Sequence, residues 1–158
     1  MSICHEYREY LKNNKVSFVT YYHDYIRNPL ELSKKLHIPL NSLVKTAILK
    51  TDSGYEMLLV PKCYDIKLDM IKKALNKDNI KILTKKELKK VFPKSEYGTV
   101  PPFGVLYNMP IYVESSLDFY NNIVFNVDSY NDSMKINYGD FKRLEKPKMV
   151  HAFAALLS

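Results

Sequence analysis

The stretch Gly98-Thr99-Val100-Pro101-Pro102-Phe103-Gly104 combines two of the chain's four glycines with two of its eight prolines. Proline fixes φ and lacks an N–H donor, whereas glycine reaches backbone angles that strain other residues. A residue that precedes a proline is held in extended geometry, which applies here to Val100 and Pro101. The sequence therefore predicts a stiff, extended turn with a glycine pivot at each end. Such a turn is suited to holding backbone groups beside a pocket; the alternative is a rigid connecting loop without a ligand.

Upstream of this turn, residues 43–50 read LVKTAILK, and a turn at 51–54 leads into a second apolar run at 55–60. This pattern predicts a β-hairpin whose first strand is buried on both faces. The two-residue period of a strand places Lys45 on the same face as Ala47. A buried ammonium without a partner is costly, so Lys45 needs an internal carboxylate or a bound anion. The alternative is a lysine near the start of the strand whose stem carries the ammonium to solvent.

The composition is typical of a folded globular domain. The chain of 158 residues is 46% hydrophobic, which is enough to build a sizeable core. No apolar run approaches the roughly 18 residues of a membrane span, and residues 1–6 lack the pattern of a signal peptide. Cys4 and Cys63 match no zinc-binding spacing. The sequence therefore predicts a cytoplasmic, reduced protein with no membrane partner, no metal and no cofactor.

Positive charge is concentrated in residues 62–94, which hold eleven lysines and four acidic residues. That excess equals the net charge of +7 of the whole chain. A basic patch of this kind suits the phosphate backbone of a nucleic acid. The alternative is a solvated lysine face.

The remaining patterns predict a mixed α/β fold in one domain over residues 1–158, on a largely antiparallel sheet with flanking helices. Helices are predicted from a cap at Ser2 to Asn13, after the cap Asn28, over 68–75, after the capping box at Thr84, and over 149–157. Strands are predicted over 16–22, 80–83, 105–107, 111–114, 122–127 and 134–138, and a loop opens at residues 139–141.

The sequence offers no evident protein nucleophile. It lacks GxSxG, HExxH and a glycine-rich phosphate loop. Of its four histidines, His23, just after the first strand, is the candidate for a site. These features favour a reaction in which the protein mainly positions the substrate and a water molecule.

A strand with Val44-Lys45-Thr46, followed about fifty residues later by Gly98 and by Pro101-Pro102-Phe103-Gly104, is a specific combination. Phe125-Asn126 and Asp140-Phe141 follow it. In these motifs the chain resembles the YbaK/prolyl-tRNA-synthetase-associated editing domain family, the free-standing trans-editing aminoacyl-tRNA deacylases. The resemblance covers about residues 16–153.

The resemblance implies hydrolysis of the ester that joins a wrong amino acid to the 3′ end of a tRNA, without a metal, in a compact α/β domain around a curved, mixed sheet. A small residue such as alanine, serine or cysteine is the implied amino acid. Lys45 and Gly98 are the implied catalytic positions. The implied substrate-binding positions are His23, Thr46, Val100, Pro101, Pro102, Phe103, Gly104, Asp128, Ser129 and Tyr130. The implied partners are the acceptor end of tRNA, held through residues 62–94, and an aminoacyl-tRNA synthetase.

The chain departs from the family pattern at two positions. Relatives often read Phe-Asn-Ala-Gly-Thr-His where this chain reads FNVDSY over residues 125–130. Asp128 replaces the glycine and Tyr130 replaces the histidine, which adds bulk and charge. A non-catalytic module that binds tRNA or a synthetase is therefore the second hypothesis, and a domain that binds a small anionic metabolite is the third.

Overall fold

The computed structural model describes residues 4–151 and organises them around one eight-stranded sheet. The strands are β1 (Phe18–Tyr22), β2 (Leu43–Thr51), β3 (Gly54–Pro61), β4 (Lys81–Ile82), β5 (Ile111–Glu114), β6 (Asn122–Asn126), β7 (Asp132–Asn137) and β8 (Lys148–Val150). The α-helices are α1 (His5–Asn13), α2 (Pro29–Leu36), α3 (Leu68–Leu75), α4 (Lys85–Val91), α5 (Gly104–Tyr107) and α6 (Tyr138–Glu145). Short 3-10 helices cover Leu40–Ser42 and Ser115–Phe119.

Neighbouring strands follow the order β1-β7-β6-β2-β3-β5-β8, and β4 pairs with β2. The β1–β7, β6–β7, β2–β3 and β2–β4 pairs are antiparallel. The β2–β6, β3–β5 and β5–β8 pairs are parallel. The predicted α/β domain on a mixed sheet is therefore confirmed.

Strand β2 changes its neighbour along one edge. Its first two residues pair with Val124 and Phe125 of β6, and Leu49 and Lys50 pair with β4. Between these pairings, residues 45–48 have no strand neighbour on that edge within the described part of the chain. The sheet therefore has a gap beside residues 45–48.

The predicted hairpin is confirmed, and its first strand is buried on both faces. β2 and β3 pair in register from Val44 opposite Pro61 to Thr51 opposite Gly54. Ile48 belongs to the larger hydrophobic core, which includes Phe103 and Phe125, whereas Leu49 belongs to a second core on the other face. The sheet therefore separates two apolar layers.

Two helix starts follow the predicted capping chemistry. The Asn28 side chain accepts a hydrogen bond from the Glu31 amide, and Thr84 and Glu87 form a reciprocal capping box. Each such cap typically contributes about 1 kcal/mol. Helix α1 begins at His5 with Cys4 at its cap position, and the predicted cap Ser2 lies outside the described residues.

Three predicted elements differ in the structure. Residues 105–107 form helix α5 rather than a strand, because the Glu145 carboxylate accepts a hydrogen bond from the Val105 amide at the first turn. Residues 139–141 lie inside helix α6, whose cap Asn137 accepts from the Asp140 amide. Residues 148–150 form strand β8 beside β5, where the last helix was predicted to begin at 149, and 152–157, the rest of that predicted helix, lie outside the described residues.

The turn over residues 98–104 has one glycine pivot rather than two. Gly98 has a φ of +88°, a conformation that other residues adopt under strain. Gly104 instead begins helix α5, where a Cβ would collide with the backbone oxygen of Met109. Phe103 is fully buried and contacts the rings of Tyr7 and Phe125. The second half of the turn therefore anchors the core.

Candidate functional site

A cavity of about 200 Å³ lies at the gap in the sheet, beside residues 45–48 of β2. Its wall combines apolar side chains from β2, β4 and α4 with polar groups from β2, from the loop after β3 and from the turn that contains Gly98. The lining residues are Lys45, Thr46, Ala47, Ile48, Asp65, Ile66, Ile82, Leu83, Leu88, Tyr97 and Gly98. The structure therefore brings three of the predicted site residues, Lys45, Thr46 and Gly98, to one cavity.

The Lys45 side chain is half-buried, and its ammonium has a single acceptor among the described residues. Its Nζ donates a hydrogen bond to the backbone oxygen of Tyr64 at 2.6 Å. Burial lowers the pKa of Lys45, and the nearby Asp65 carboxylate opposes that shift. An ammonium carries three donors, and Lys45 forms no salt bridge with a carboxylate among residues 4–151. Donor capacity therefore remains for an anionic or carbonyl group in the cavity.

The Thr46 hydroxyl is buried and has no hydrogen-bond partner in the described structure. Only 6% of the residue is exposed. A hydroxyl buried without a partner costs roughly 1–3 kcal/mol, so native proteins rarely retain one without a reason. Thr46 lines the cavity, but its Oγ1 has almost no exposed surface, so the hydroxyl reaches a ligand only after the side chain turns.

Gly98 lines the same cavity, and the orientation of its peptide is fixed. The Tyr130 hydroxyl donates to the Tyr97 backbone oxygen at 2.5 Å, which fixes the peptide that joins Tyr97 to Gly98. In a planar trans peptide the N–H points opposite to the C=O, so the Gly98 N–H points away from Tyr130. This amide donates to no group in the described residues. A Cβ at position 98 would lie 2.6 Å from the Tyr130 hydroxyl, so close packing as well as φ requires glycine.

A cluster of cations surrounds Tyr130 behind the cavity. The Lys62 Nζ lies 4.8 Å from the centre of the Tyr130 ring, and the Arg27 guanidinium carbon lies 5.1 Å from it. Lys62 also donates a short hydrogen bond to the Asn126 side chain. Burial, reinforced by the charges of Lys45 and Arg27, lowers the pKa of Lys62 to about 8. This region is therefore strongly positive.

Asp128 has a φ of +65°, a conformation that favours glycine. This backbone angle explains why glycine is common at that position in the family that the sequence resembles. Its carboxylate accepts from the Ser95 hydroxyl at 2.5 Å and from the Tyr7 hydroxyl at 3.3 Å. Burial raises the pKa of Asp128, and these two hydrogen bonds oppose the rise. Neither Asp128 nor Tyr130 lines the Lys45 cavity. The two departures from the family pattern therefore leave that cavity unfilled.

The other predicted site residues lie elsewhere. His23 and Ser129 line a separate surface depression, where the His23 Nε2 lies 2.8 Å from the buried Ser133 hydroxyl. Of the predicted site positions in the proline turn, five are buried and do not line the cavity, namely Val100, Pro101, Pro102, Phe103 and Gly104.

Sequence reasoning did not include Asp65, Tyr97 or Leu88 among the site residues, although all three line the cavity. Tyr97 could have been found from its position next to Gly98. Asp65 and Leu88 reach the cavity through the loop after β3 and through helix α4, and no local pattern marks them.

The eleven lysines of residues 62–94 have different environments. Lys62 is half-buried beside Tyr130, while Lys77 pairs with Glu56 and Lys81 pairs with Glu87. Helix α4 carries exposed lysines at 85, 86, 89 and 90. Helix α4 therefore presents a basic surface and also contributes Leu88 to the wall of the cavity.

Within residues 4–151, no three side chains of histidine, cysteine, aspartate or glutamate are grouped as metal ligands. None of the helices in that same part of the chain has the length and apolarity needed to cross a membrane.

The family model described as the aminoacyl-tRNA editing domain matches residues 23–144, which include Lys45, Thr46 and Gly98. None of the curated proteins matches the chain. The fold is similar to that of a proposed trans-editing enzyme for prolyl tRNA synthetase, with a TM-score of 0.79 and 15% identity over 98% of this chain and 100% of that one. It is also similar to a hypothetical protein, with a TM-score of 0.78 and 15% identity over 92% of this chain and 98% of that one. The fold is also similar to that of a proposed signal transduction protein from Marinobacter aquaeolei VT8, with a TM-score of 0.72 and 17% identity over 96% of this chain and 31% of that one.

Proposed function

The chain belongs to the aminoacyl-tRNA editing domain family, and we propose that it is a trans-editing deacylase that removes a small mischarged amino acid from tRNA. The amino acids proposed are alanine, serine and cysteine. The observation that carries the proposal is the meeting of Lys45, Thr46 and Gly98 at one cavity. The reaction consumes one water molecule and yields the free amino acid and a tRNA with a free ribose hydroxyl.

Lys45 is proposed to orient the substrate. In the described part of the chain its ammonium has one acceptor, the Tyr64 carbonyl, which fixes the direction of the side chain at the cavity. The remaining N–H donors can bind a phosphate oxygen of the terminal nucleotide or the carbonyl of the aminoacyl group. A cation held in place in this way contributes by positioning and by electrostatic stabilisation.

The Gly98 amide and the Thr46 hydroxyl are proposed to bind the reacting ester. When water attacks the ester carbonyl, negative charge develops on its oxygen, and backbone N–H groups are effective donors to such an oxyanion. The Gly98 N–H is fixed by the Tyr130 hydrogen bond to the preceding peptide and has no acceptor within residues 4–151. The Thr46 Oγ1 is covered in the structure, and after a turn of the side chain toward the cavity it can hold either the attacking water or the amino group of the substrate. A neighbouring ribose hydroxyl of the tRNA is proposed to help activate the water.

The size of the cavity supports a small amino acid. Its volume of about 200 Å³ lies below the roughly 300–1,000 Å³ of sites that hold drug-sized ligands. Ala47, Ile48 and Leu83 supply an apolar wall, and the charged and polar groups belong to Lys45, Thr46 and Asp65. A short side chain fits such a space, whereas a large aromatic one would need the wall to move.

The non-catalytic alternative rests on Asp128 and Tyr130. The structure favours the hydrolytic proposal over it, because the Asp128 carboxylate is engaged by Ser95 and Tyr7, away from the cavity lining. Tyr130, moreover, supports the Gly98 peptide through its hydroxyl. Both substitutions are therefore compatible with an open cavity.

We further propose that the acceptor end of tRNA approaches along the basic surface of α4. An aminoacyl-tRNA synthetase is the second proposed partner, since editing in trans follows the charging step. The proposed location is the cytoplasm, where aminoacyl-tRNA is used in translation.

The test is deacylation of tRNA charged with alanine, serine, cysteine or proline, with the wild type beside Lys45→Ala. Hydrolysis of one mischarged species, lost in the variant, is expected. Circular dichroism of both proteins supplies the folding control, because the chain contains no tryptophan for fluorescence.

The two hypotheses give different results in this assay. Absence of hydrolysis with every species, together with retained tRNA binding, would favour the non-catalytic module. In that case Asp128→Gly combined with Tyr130→His should restore hydrolysis if these substitutions removed it.

A further inference from the structure

A second groove, of about 300 Å³, adjoins the Lys45 cavity. The two share Leu88 and Tyr97 in their walls, so a single side-chain layer separates them. We call it the tyrosine groove, and its main lining residues are Tyr25, Arg27, Lys85, Lys89, Tyr97 and Tyr130. The proposal above assigns none of these side chains to the reacting ester, although Lys85 and Lys89 belong to the α4 surface along which the acceptor end is proposed to approach.

The groove presents aromatic rings whose positions are fixed. Tyr25 and Tyr97 are 53% and 41% exposed, so each offers a ring surface to solvent. The Tyr25 ring meets Tyr130 edge to face, with centroids 5.5 Å apart. The Glu96 carboxylate accepts from the Tyr25 hydroxyl at 2.9 Å and from the Tyr130 amide at 3.1 Å. Because these contacts hold the rings in advance, a flat ligand could stack with little loss of side-chain entropy.

The groove also carries an excess of positive charge. Arg27, Lys85 and Lys89 line it together with one carboxylate, that of Glu96. Lys85 and Lys89 are exposed and pair with no carboxylate among the described residues. Exposed aromatic rings beside unpaired cations are the combination by which proteins bind single-stranded nucleic acid.

We propose that the tyrosine groove binds the unpaired nucleotide that precedes the aminoacylated terminal nucleotide of the tRNA. The base stacks on Tyr25 or Tyr97, and its phosphate lies between Lys85 and Lys89. This inference rests on the proposed function, since the ester must occupy the neighbouring cavity. The shared wall supports it, because consecutive nucleotides of a single strand must occupy adjoining sites. The volume suits one nucleotide rather than a duplex.

Two pairs of lysines on one helix provide a matched test of the phosphate contact. Lys85→Ala/Lys89→Ala removes two charges from the groove, and Lys86→Ala/Lys90→Ala removes two charges beside it. Binding of a 5′-labelled single-stranded RNA that ends in cytidine-cytidine-adenosine is measured against salt concentration. The groove pair should lower the logarithmic salt slope by about 0.7, the value for one phosphate contact in a single strand. Equal slopes for the two pairs would overturn the phosphate assignment.

The stacking contact is tested with Tyr25→Leu, which removes the ring, and Tyr25→Phe, which keeps it. Tyr25→Leu should weaken binding of the intact RNA roughly tenfold, and Tyr25→Phe should weaken it little. With an RNA that lacks the base at the penultimate position, Tyr25→Leu should have almost no effect. The same tenfold loss with that abasic RNA would refute stacking at Tyr25, and Tyr97→Leu then tests the other ring.

The outcomes separate this inference from the proposed function. If no charged tRNA is hydrolysed but the oligonucleotide binds with the expected differences, the groove stands and the deacylase proposal fails. If a mischarged tRNA is hydrolysed and the two lysine pairs lower kcat/KM equally, the deacylase stands and the groove assignment fails.

Discussion

Replacing Thr46 by valine should make the protein more stable and less active. Valine has nearly the same shape as threonine, and both suit a strand. The substitution therefore removes chiefly a hydroxyl that is buried without a partner. Such a group costs roughly 1–3 kcal/mol, so Thr46→Val should raise the free energy of unfolding by about 1 kcal/mol. For a chain of this length that corresponds to a rise in Tm of about 2–4 °C.

The same strand offers a matched control in Thr51. Its hydroxyl is also buried, but it donates to Glu56 at 2.8 Å and accepts from the Ser53 amide at 3.1 Å. Thr51→Val should therefore destabilise the protein by about 1.5–3 kcal/mol, since one lost bond is to a charged group. Urea unfolding followed by circular dichroism measures both variants.

Deacylation of the best mischarged tRNA supplies the second readout. Loss of one hydrogen bond to the reacting group should lower kcat/KM about tenfold in Thr46→Val. Thr46→Ser, which keeps the hydroxyl, should stay near the wild-type rate. If Thr46→Val loses stability as Thr51→Val does, the Thr46 hydroxyl has a structural role. If stability rises and the rate is unchanged, the hydroxyl does not serve the substrate.

Three other substitutions test the site. Lys45→Met should lower kcat more than it raises KM without lowering Tm, since it removes a buried charge that orients the substrate; an effect on KM alone would contradict the orienting role. Gly98→Ala should lower the free energy of unfolding more in the wild-type background than in a Tyr130→Phe background. In the latter the clash with the Tyr130 hydroxyl is gone and only the backbone strain of about 1–2 kcal/mol remains. Equal losses in the two backgrounds would mean that the Tyr130 hydroxyl does not limit position 98. The pKa of Lys62 is lowered to about 8 in the folded protein. Between pH 8 and 10.5 the unfolded chain therefore binds more protons than the folded one, so the stability contribution of Lys62 rises with pH. The stability advantage of Lys62→Met over the wild type should therefore be largest near pH 7 and shrink above pH 8; a constant difference in unfolding free energy would refute the shift.

Local chemistry predicted those parts of the fold that local contacts determine. The hairpin of β2 and β3, the cap at Asn28 and the capping box at Thr84 each depend on residues close in sequence. Helix α5 could not be predicted in this way, because its first turn is held by Glu145, forty residues further on. Helix α6 did carry a readable signal, the cap Asn137, but the glycine two positions later suggested a loop.

The site was predictable only in part for a similar reason. The burial of Lys45 follows from the strand pattern. A glycine pivot at position 98 was predicted from the proline-rich turn, and the positive φ of Gly98 agrees with that prediction. The contact between the Tyr130 hydroxyl and the peptide before Gly98 joins residues more than thirty positions apart, and no spacing rule predicts it. Phe103 shows the reverse case, since its place in a distinctive turn suggested a pocket residue whereas its ring is fully buried in the core.

The sheet consists of two groups of strands, which are connected by the short pairing of β2 with β6. Strands β1, β7 and β6 form one antiparallel group, and β2, β3, β4, β5 and β8 form the other. Within residues 4–151, two residue pairs connect the groups by strand pairing, and Lys45 follows directly after the second. Hydrogen exchange should therefore resolve two cooperative units with different opening free energies. Because the cavity lies where these units meet, a ligand that bridges them should slow the exchange of both, which would turn binding at a small site into protection across the whole sheet.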